Sequence, residues 1–313
     1  MHSNPQEHAG ASRPAGYLRI ATLRRLLRAA TEIEAAWEGE RQTDPDLCMG
    51  RLRLLDVRSQ ESFYARHLPG SACLPEEELV FRTPELPPKW RPFAVLAGDT
   101  TTARRVAAGL RERGWTRAIH ISGGIDQWPG PWATGPATRV LWEPTPLVRA
   151  WATTIPAGRV IDLGCGSGRD AVYLAMQGHR VTAVDLLPDA LEKAAALAGR
   201  CSVDLALRQM DLRRQRPDTQ RPFDLVCMVR FLDRDLLAWC PALLAGGGML
   251  LLEGYLQRED DDPGPKRASA RLQPGEALRT AQRGGLEILT YREMRDRSGS
   301  HIAQLAARKL GSP

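Results

Sequence analysis

One short stretch, VIDLGCGSGRDAVYLA (residues 160–175), constrains the fold of this chain more than any other. An apolar run ends at Asp162 and Leu163, glycines follow at alternate positions (Gly164, Gly166 and Gly168), and apolar residues then recur at helical spacing. A buried strand that turns through glycines into a helix is the opening of a parallel α/β unit. The glycines permit positive φ and let the main chain approach a ligand with no Cβ in the way. The helix start then leaves its first N–H groups free.

Two ligands suit such a turn: a dinucleotide pyrophosphate, or the methionyl and ribosyl part of S-adenosylmethionine. The spacing discriminates. A dinucleotide fingerprint needs G-x-G-x-x-G, but the sixth residue from Gly164 is Arg169, and no G-K-[ST] follows for a P-loop. Asp185 ends the next strand-like run, VTAVD, and Asp211 ends a third, ALRQMD. A carboxylate at the first of these positions can accept hydrogen bonds from both ribose hydroxyls, and one at the second can meet an adenine amino group. Acids at strand ends, on a sheet that collects ligands at its carboxyl edge, resemble the class I S-adenosylmethionine-dependent methyltransferases over roughly residues 139–313. With Arg169 after the third glycine, the motif is similar to the tellurite-resistance and thiopurine-type branch.

That resemblance implies S-adenosyl-L-methionine as cofactor, held by Asp162, Gly164, Gly166, Gly168, Arg169, Asp185, Leu186, Asp211 and Leu212. It places Met228, Val229, Arg230 and Phe231, past the fourth strand, between the methyl group and its acceptor. Arg230 and Arg234 either orient an anionic acceptor by guanidinium pairing or open a surface helix. Glu253 and Tyr255 are the nearest acid or base candidates, with Glu253 equally suited to a structural role. The catalytic group is otherwise open, because methyl transfer needs alignment and dryness more than a base. LWEPTP (141–146) looks like a lid segment, with Trp142 near the cofactor. The N/D-P-P-Y/F signature is absent, which argues against adenine or glutamine methylation.

The strand and helix alternation around this motif is regular. RVIDLG, a helix over 170–177, HRVTAVDL, a helix over 189–198 and VDLALRQMD are followed by FDLVCMV, a helix over 235–244 and GGGMLLLEGY. LEILTYREM and HIAQLAARK close the chain. A second α/β unit precedes it. After a polar tail (1–16, expected disordered) comes an amphipathic helix over 21–37, then strand-like runs at 52–57, 93–97 and 118–122. The helix TARRVAAGLRERG ends at Gly114 as a C-terminal cap, and GGIDQWPGPWATGP reads as a linker. The expected architecture is therefore two α/β domains: a small parallel sheet followed by a Rossmann-like sheet.

The first unit resembles the rhodanese family over residues 17–137, through Asp56-Val57-Arg58, His67-Leu68-Pro69-Gly70-Ser71 and SGGIDQW. It departs where active members carry C-x-x-G-x-R-S. Ala97 stands at the cysteine, Thr100 at the glycine and Thr102 at the arginine, so no thiolate can be activated to form a persulfide. The resemblance then implies a non-catalytic accessory domain, with a retained anion-binding loop or the docking of a protein partner as its remaining roles.

Composition narrows the partners. The net charge is +6, yet only Lys89, Lys193, Lys266 and Lys309 are lysines; the other cations are arginines scattered through every segment, with local clusters at Arg24, Arg25 and Arg28 and at Arg213, Arg214 and Arg216. A nucleic-acid surface would cluster its cations on one face. No run approaches the roughly 18–20 apolar residues of a membrane span. The start lacks a secretory leader, and Glu7, Glu32 and Glu34 argue against an organellar one, so a cytoplasmic protein is expected. The six cysteines form no C-x-x-C and no metal-site spacing, and Cys165 and Cys227 suit small buried positions. The acidic tract 259–265 is expected to be a mobile loop. Together these features predict a methyltransferase acting on a small-molecule acceptor. The alternatives are a non-catalytic S-adenosylmethionine-binding regulator, or a sulfur carrier, which the missing thiol argues against.

Overall fold

The computed structural model describes residues 17–19 and 53–311, apart from 138, 219 and 259–261. The expected tail (1–16), the helix over 21–37 with its arginine cluster, Cys48, and the first three acids of the 259–265 tract lie outside the described residues. The chain divides into two compact units. One ends in Val80 and resumes over Pro87–Leu141; the other is formed by Phe81–Leu86 and the chain from Trp142 onward.

The first unit is a parallel sheet. Its elements are β1 (Tyr17–Arg19), β2 (Arg53–Asp56), α1 (Gln60–Ala65), β3 (Ser71–Cys73), β4 (Phe93–Leu96), α2 (Thr100–Glu112) and β5 (Ala118–Ser122), with the strands ordered β1-β5-β4-β2-β3. Every residue of β4 is buried, as the continuous apolar run FAVL requires of a strand covered on both faces. Leu54, Leu96, Ile121, Ile125 and Trp128 pack into one core cluster. Helix α2 is followed by Gly114 at φ +98°, the glycine cap expected from the sequence. The three-residue strands β1 and β3 were not expected; both are too short to show a period.

The second unit contains α3 (Pro146–Ala152), β6 (Arg159–Leu163), α4 (Arg169–Met176), β7 (Arg180–Asp185), α5 (Pro188–Arg200), β8 (Ala206–Gln209) and β9 (Phe223–Val229). It continues with α6 (Arg234–Leu243), β10 (Leu244–Leu256), β11 (Arg271–Leu272), α7 (Glu276–Arg283), β12 (Leu286–Arg295) and β13 (His301–Lys309). The sheet order is β8-β7-β6-β9-β10-β13-β12, with β11 beside the end of β10. β13 runs antiparallel to both β10 and β12. Leu250 and Leu252 join one core cluster and Met249 and Leu251 the other, so β10 fills both faces with a period of two. The strand order reverses between β6 and β9, where open α/β sheets form their ligand crevice.

Two charged features of this unit were not legible in the sequence. Glu85 is buried between Arg82, which donates to it from Nε (2.8 Å) and Nη2 (2.6 Å), and Arg200 at the end of α5. Asp262 belongs to the tract expected to be a mobile loop. Instead it is buried, accepting from both terminal guanidinium nitrogens of Arg271 and from the amides of Gly264 and His301. The paired guanidinium explains why a charge can leave water there.

Candidate functional site

The glycine turn sits at the carboxyl end of β6. The amides of Gly164 and Cys165 both donate to the Val184 carbonyl (2.9 Å each), which fastens the turn to β7. All three glycines have positive φ, but their surroundings differ. A Cβ on Gly164 would lie 2.6 Å from the Phe231 side chain, and one on Gly168 would lie 2.6 Å from the Ala194 Cβ on α5. A Cβ on Gly166 would meet nothing within 4 Å. Two of the glycines therefore serve the close approach of protein to protein, and the middle one faces open space.

Three carboxylates near the turn interact with one another. Asp185 Oδ2 accepts from the Gly166 amide (2.8 Å) and Oδ1 from the Leu187 amide (3.0 Å). Asp170, on the first turn of α4, accepts from the amide (2.6 Å) and hydroxyl (2.7 Å) of Thr145. Asp162 is buried, and burial pushes its carboxyl well above the usual range, with Asp170 and Asp185 adding to the effect. Burial likewise raises Asp170, against the opposing hydrogen bonds from Thr145. Arg169 is exposed and makes no hydrogen bond or ion pair with the described residues. Leu186 and Leu187 are exposed apolar residues just past Asp185. Met210 donates its amide to the Asp185 carbonyl, which brings Asp211 to the same edge.

At the end of β9, Arg230 adopts φ +55°, a left-handed conformation unusual for a residue with a side chain. Its Nε donates to Glu253 Oε1 (2.9 Å), Nη1 to the Tyr255 hydroxyl (3.3 Å) and Nη2 to Asp296 Oδ2 (3.0 Å). Burial opposes its charge, but the neighbouring carboxylates more than offset this and raise its pKa. The other Glu253 oxygen accepts from Gln304 (2.8 Å), so this buried acid has a structural role. Arg234 pairs with both Glu276 oxygens at the start of α6. Both guanidinium groups thus have acid partners within the protein, and Arg234 opens helix α6.

Three further residues named from the sequence are buried. The side chains of Leu212 and Met228 belong to a core cluster. Trp142 packs with Val172, Leu197 and Ala198, towards the far end of α5 from Asp185. Thr145, Asp296 and Gln304 were missed because only tertiary contacts reveal them. Asp170 had a signal, being an acid in the first helical turn after the glycines.

A family model described as a methyltransferase domain matches residues 160–248, and one described as a rhodanese-like domain matches residues 40–130. The chain joins a rhodanese-like domain to a class I methyltransferase domain. The uncharacterized protein UNK4.09 of Schizosaccharomyces pombe is 25% identical over 289 residues, covering 73% of this chain and 84% of that protein. The ubiquinone biosynthesis O-methyltransferase of Xanthomonas campestris pv. campestris is 30% identical over 103 residues, 31% of this chain and 43% of its own length. The chain thus spans less than half of that relative. Among solved structures, TehB from Haemophilus influenzae matches with 23% identity and a TM-score of 0.45, covering 52% of this chain and 61% of that one.

In the rhodanese-like domain, the loop from β4 to α2 is self-capped. Asp99 accepts from the Thr102 amide (2.9 Å) and hydroxyl (2.8 Å), and these hydrogen bonds hold its carboxyl below the usual range. The Thr100 hydroxyl accepts from the Gly123 amide (2.7 Å). A side chain of the domain has taken donors that an anion-binding loop would offer to its ligand. Asp56 and Arg58 form a bidentate pair, and His67 stacks on Phe63 at 3.8 Å with its Nδ1 2.9 Å from the Phe63 carbonyl. The family's D-x-R and H-x-P residues are here scaffold.

Proposed function

We propose that the methyltransferase domain transfers a methyl group from S-adenosyl-L-methionine to a small-molecule acceptor at the carboxyl edge of β6 and β9. The observation that carries this reading is the open side of Gly166 near Asp162, Asp170 and Asp185. A main chain with room for a ligand lies near carboxylates whose mutual repulsion a cationic ligand relieves, and S-adenosylmethionine carries a sulfonium. Its chemistry when bound is that of an electrophilic methyl group on sulfur.

The residues divide the remaining work. Each Asp185 oxygen has given one lone pair to an amide and keeps another for a ribose hydroxyl. Leu186 supplies apolar cover for the adenine, and Asp211 supplies an acceptor for its amino group. Gly164, Gly166 and Gly168 shape the turn, and Arg169 offers an uncommitted cation to the ligand's carboxylate. Val229, Arg230 and Phe231 line the acceptor side, with the Tyr255 hydroxyl beside Arg230. Because Arg230 is already neutralised, the acceptor is recognised by shape and apolar contact more than by charge. The rhodanese-like domain is a non-catalytic accessory or docking module, and the protein works in the cytoplasm on neither membrane nor nucleic acid.

Titration calorimetry with S-adenosylmethionine and S-adenosylhomocysteine tests the reading, followed by a turnover screen over small thiols, chalcogen oxyanions and polar metabolites. Saturable binding of both with turnover of at least one acceptor is expected. Binding without turnover of any acceptor would favour a regulatory protein, and absence of binding would overturn the proposal.

A further inference from the structure

A cleft of about 730 Å³ in the second unit lies at the opposite edge of the sheet from the glycine turn, beside the amino ends of β6, β7 and β8. Its walls include Arg159, Arg180, Ser202, Asp204 and Phe223. Arg159 and Arg180 are direct register neighbours on adjacent parallel strands, so their side chains leave the same face of the sheet. Like charges so placed repel one another.

Several other arginines of this unit come with acids: Arg82 and Arg200 with Glu85, Arg230 with Glu253, Arg234 with Glu276, Arg271 with Asp262. Arg159 and Arg180 have no carboxylate partner among the described residues. The nearby Asp224 spends its Oδ2 on the Arg159 amide (2.7 Å) rather than on the guanidinium. That guanidinium lies over the Phe223 ring at 5.2 Å, and Nη2 makes one long contact with the Arg221 carbonyl (3.4 Å). Its Nε is buried with no acceptor among the described residues. Both arginines line the cleft, where an anion would accept from their terminal guanidinium nitrogens. Guanidinium forks match the oxygens of phosphate.

We infer that this cleft is a binding site for the phosphate group of a small soluble molecule, gripped by Arg159 and Arg180. Asp204 on the same wall disfavours a bare polyanion and suits a phosphate ester that presents a hydroxyl. The site is separate from the glycine turn and does not depend on methyl transfer.

Inorganic pyrophosphate and glycerol 3-phosphate are titrated into the full chain by calorimetry and by thermal shift at matched ionic strength, with phosphatidate vesicles as a separate arm. Saturable binding of the ester is expected. Arg180→Gln, which alters an exposed side chain, should weaken it about tenfold or more, the loss of one charge-assisted contact. Arg159→Gln, checked for folding by circular dichroism, should do the same. Arg180→Gln should leave the affinity for S-adenosylhomocysteine unchanged, and Gly166→Val should leave ester binding unchanged. No saturation at millimolar ester, an equal effect of sodium chloride, or wild-type binding by the folded Arg180→Gln variant would overturn the inference. Binding to vesicles alone would assign the cleft to a lipid surface and overturn it equally.

Discussion

Substituting the three glycines one at a time separates those that shape the protein from the one that faces a ligand. Alanine at any of them must adopt a left-handed backbone, which costs about 1–2 kcal/mol. At Gly166 that is the whole penalty, since the new Cβ meets nothing within 4 Å. At Gly168 the Cβ would lie 2.6 Å from the Ala194 Cβ and 3.1 Å from its Cα, and such overpacking adds about 1–3 kcal/mol. A domain of this size loses about 2–4 °C of melting temperature per kcal/mol. Gly166→Ala should therefore melt only a few degrees below wild type, and Gly168→Ala about twice as far below. Affinity should run the other way: folded Gly168→Ala keeps most of its S-adenosylhomocysteine binding, Gly166→Ala loses about tenfold or more, and Gly166→Val binds none, because the added atoms take the ligand's place. Differential scanning fluorimetry with and without S-adenosylhomocysteine reads both quantities in one experiment. Wild-type affinity in Gly166→Ala would show that the open side of the turn is not where the ligand lies, and a Gly168→Ala as stable as Gly166→Ala would refute the packing of Gly168 against Ala194.

Other tests address the carboxylates and the first domain. Asp185→Ala should weaken S-adenosylhomocysteine binding by about 2–4 kcal/mol, since it removes the ribose acceptor and also frees the Gly166 amide; unchanged affinity in calorimetry would remove that role. An acid whose folded pKa is raised costs stability as pH rises from its ordinary value through the raised one, so the Asp162 contribution to apoprotein stability should fall over that interval. A bound sulfonium favours ionised Asp162, so affinity for S-adenosylmethionine should rise with pH relative to that for the neutral-sulfur product; parallel pH profiles would refute the coupling. Asp262→Ala should cost about 3–5 kcal/mol in denaturant titration by stranding the buried Arg271, and a loss below about 1 kcal/mol, the worth of an exposed pair, would mean the pair is solvated. Thiosulfate:cyanide sulfurtransferase activity should be absent, and Ala97→Cys alone should restore little while Asp99 holds the loop donors; vigorous activity in that variant would show an intact cradle.

What the sequence made legible was local. VIDLG, VTAVD and FDLVCMV each carry an apolar run that ends at the site, and the glycines mark the turn by themselves. The alternation of strands and helices implied parallel sheets, and the final two strands paired as an antiparallel hairpin. Tertiary relations stayed hidden. Arg230 reads as a free cation until Glu253, Tyr255 and Asp296, 23 to 66 residues away, fold onto it. Asp262 reads as part of a solvated acidic tract until Arg271 buries it. Leu212 and Met228 read as ligand-lining positions in the motif, and only the fold shows that their side chains are buried in a core cluster.

The self-capped loop of the rhodanese-like domain changes the question that such a domain poses. Asp99 is tethered within three residues of the amide it satisfies, so any dissolved oxyanion must displace a competitor that never diffuses away. The effective concentration of a group so attached far exceeds any a cell supplies for a free ion. At the Thr102 amide the loop behaves as though already occupied. Its occupancy reports nothing about sulfur supply, and a sequence drifting back towards catalysis would have to remove the resident carboxylate as well as regain the thiol.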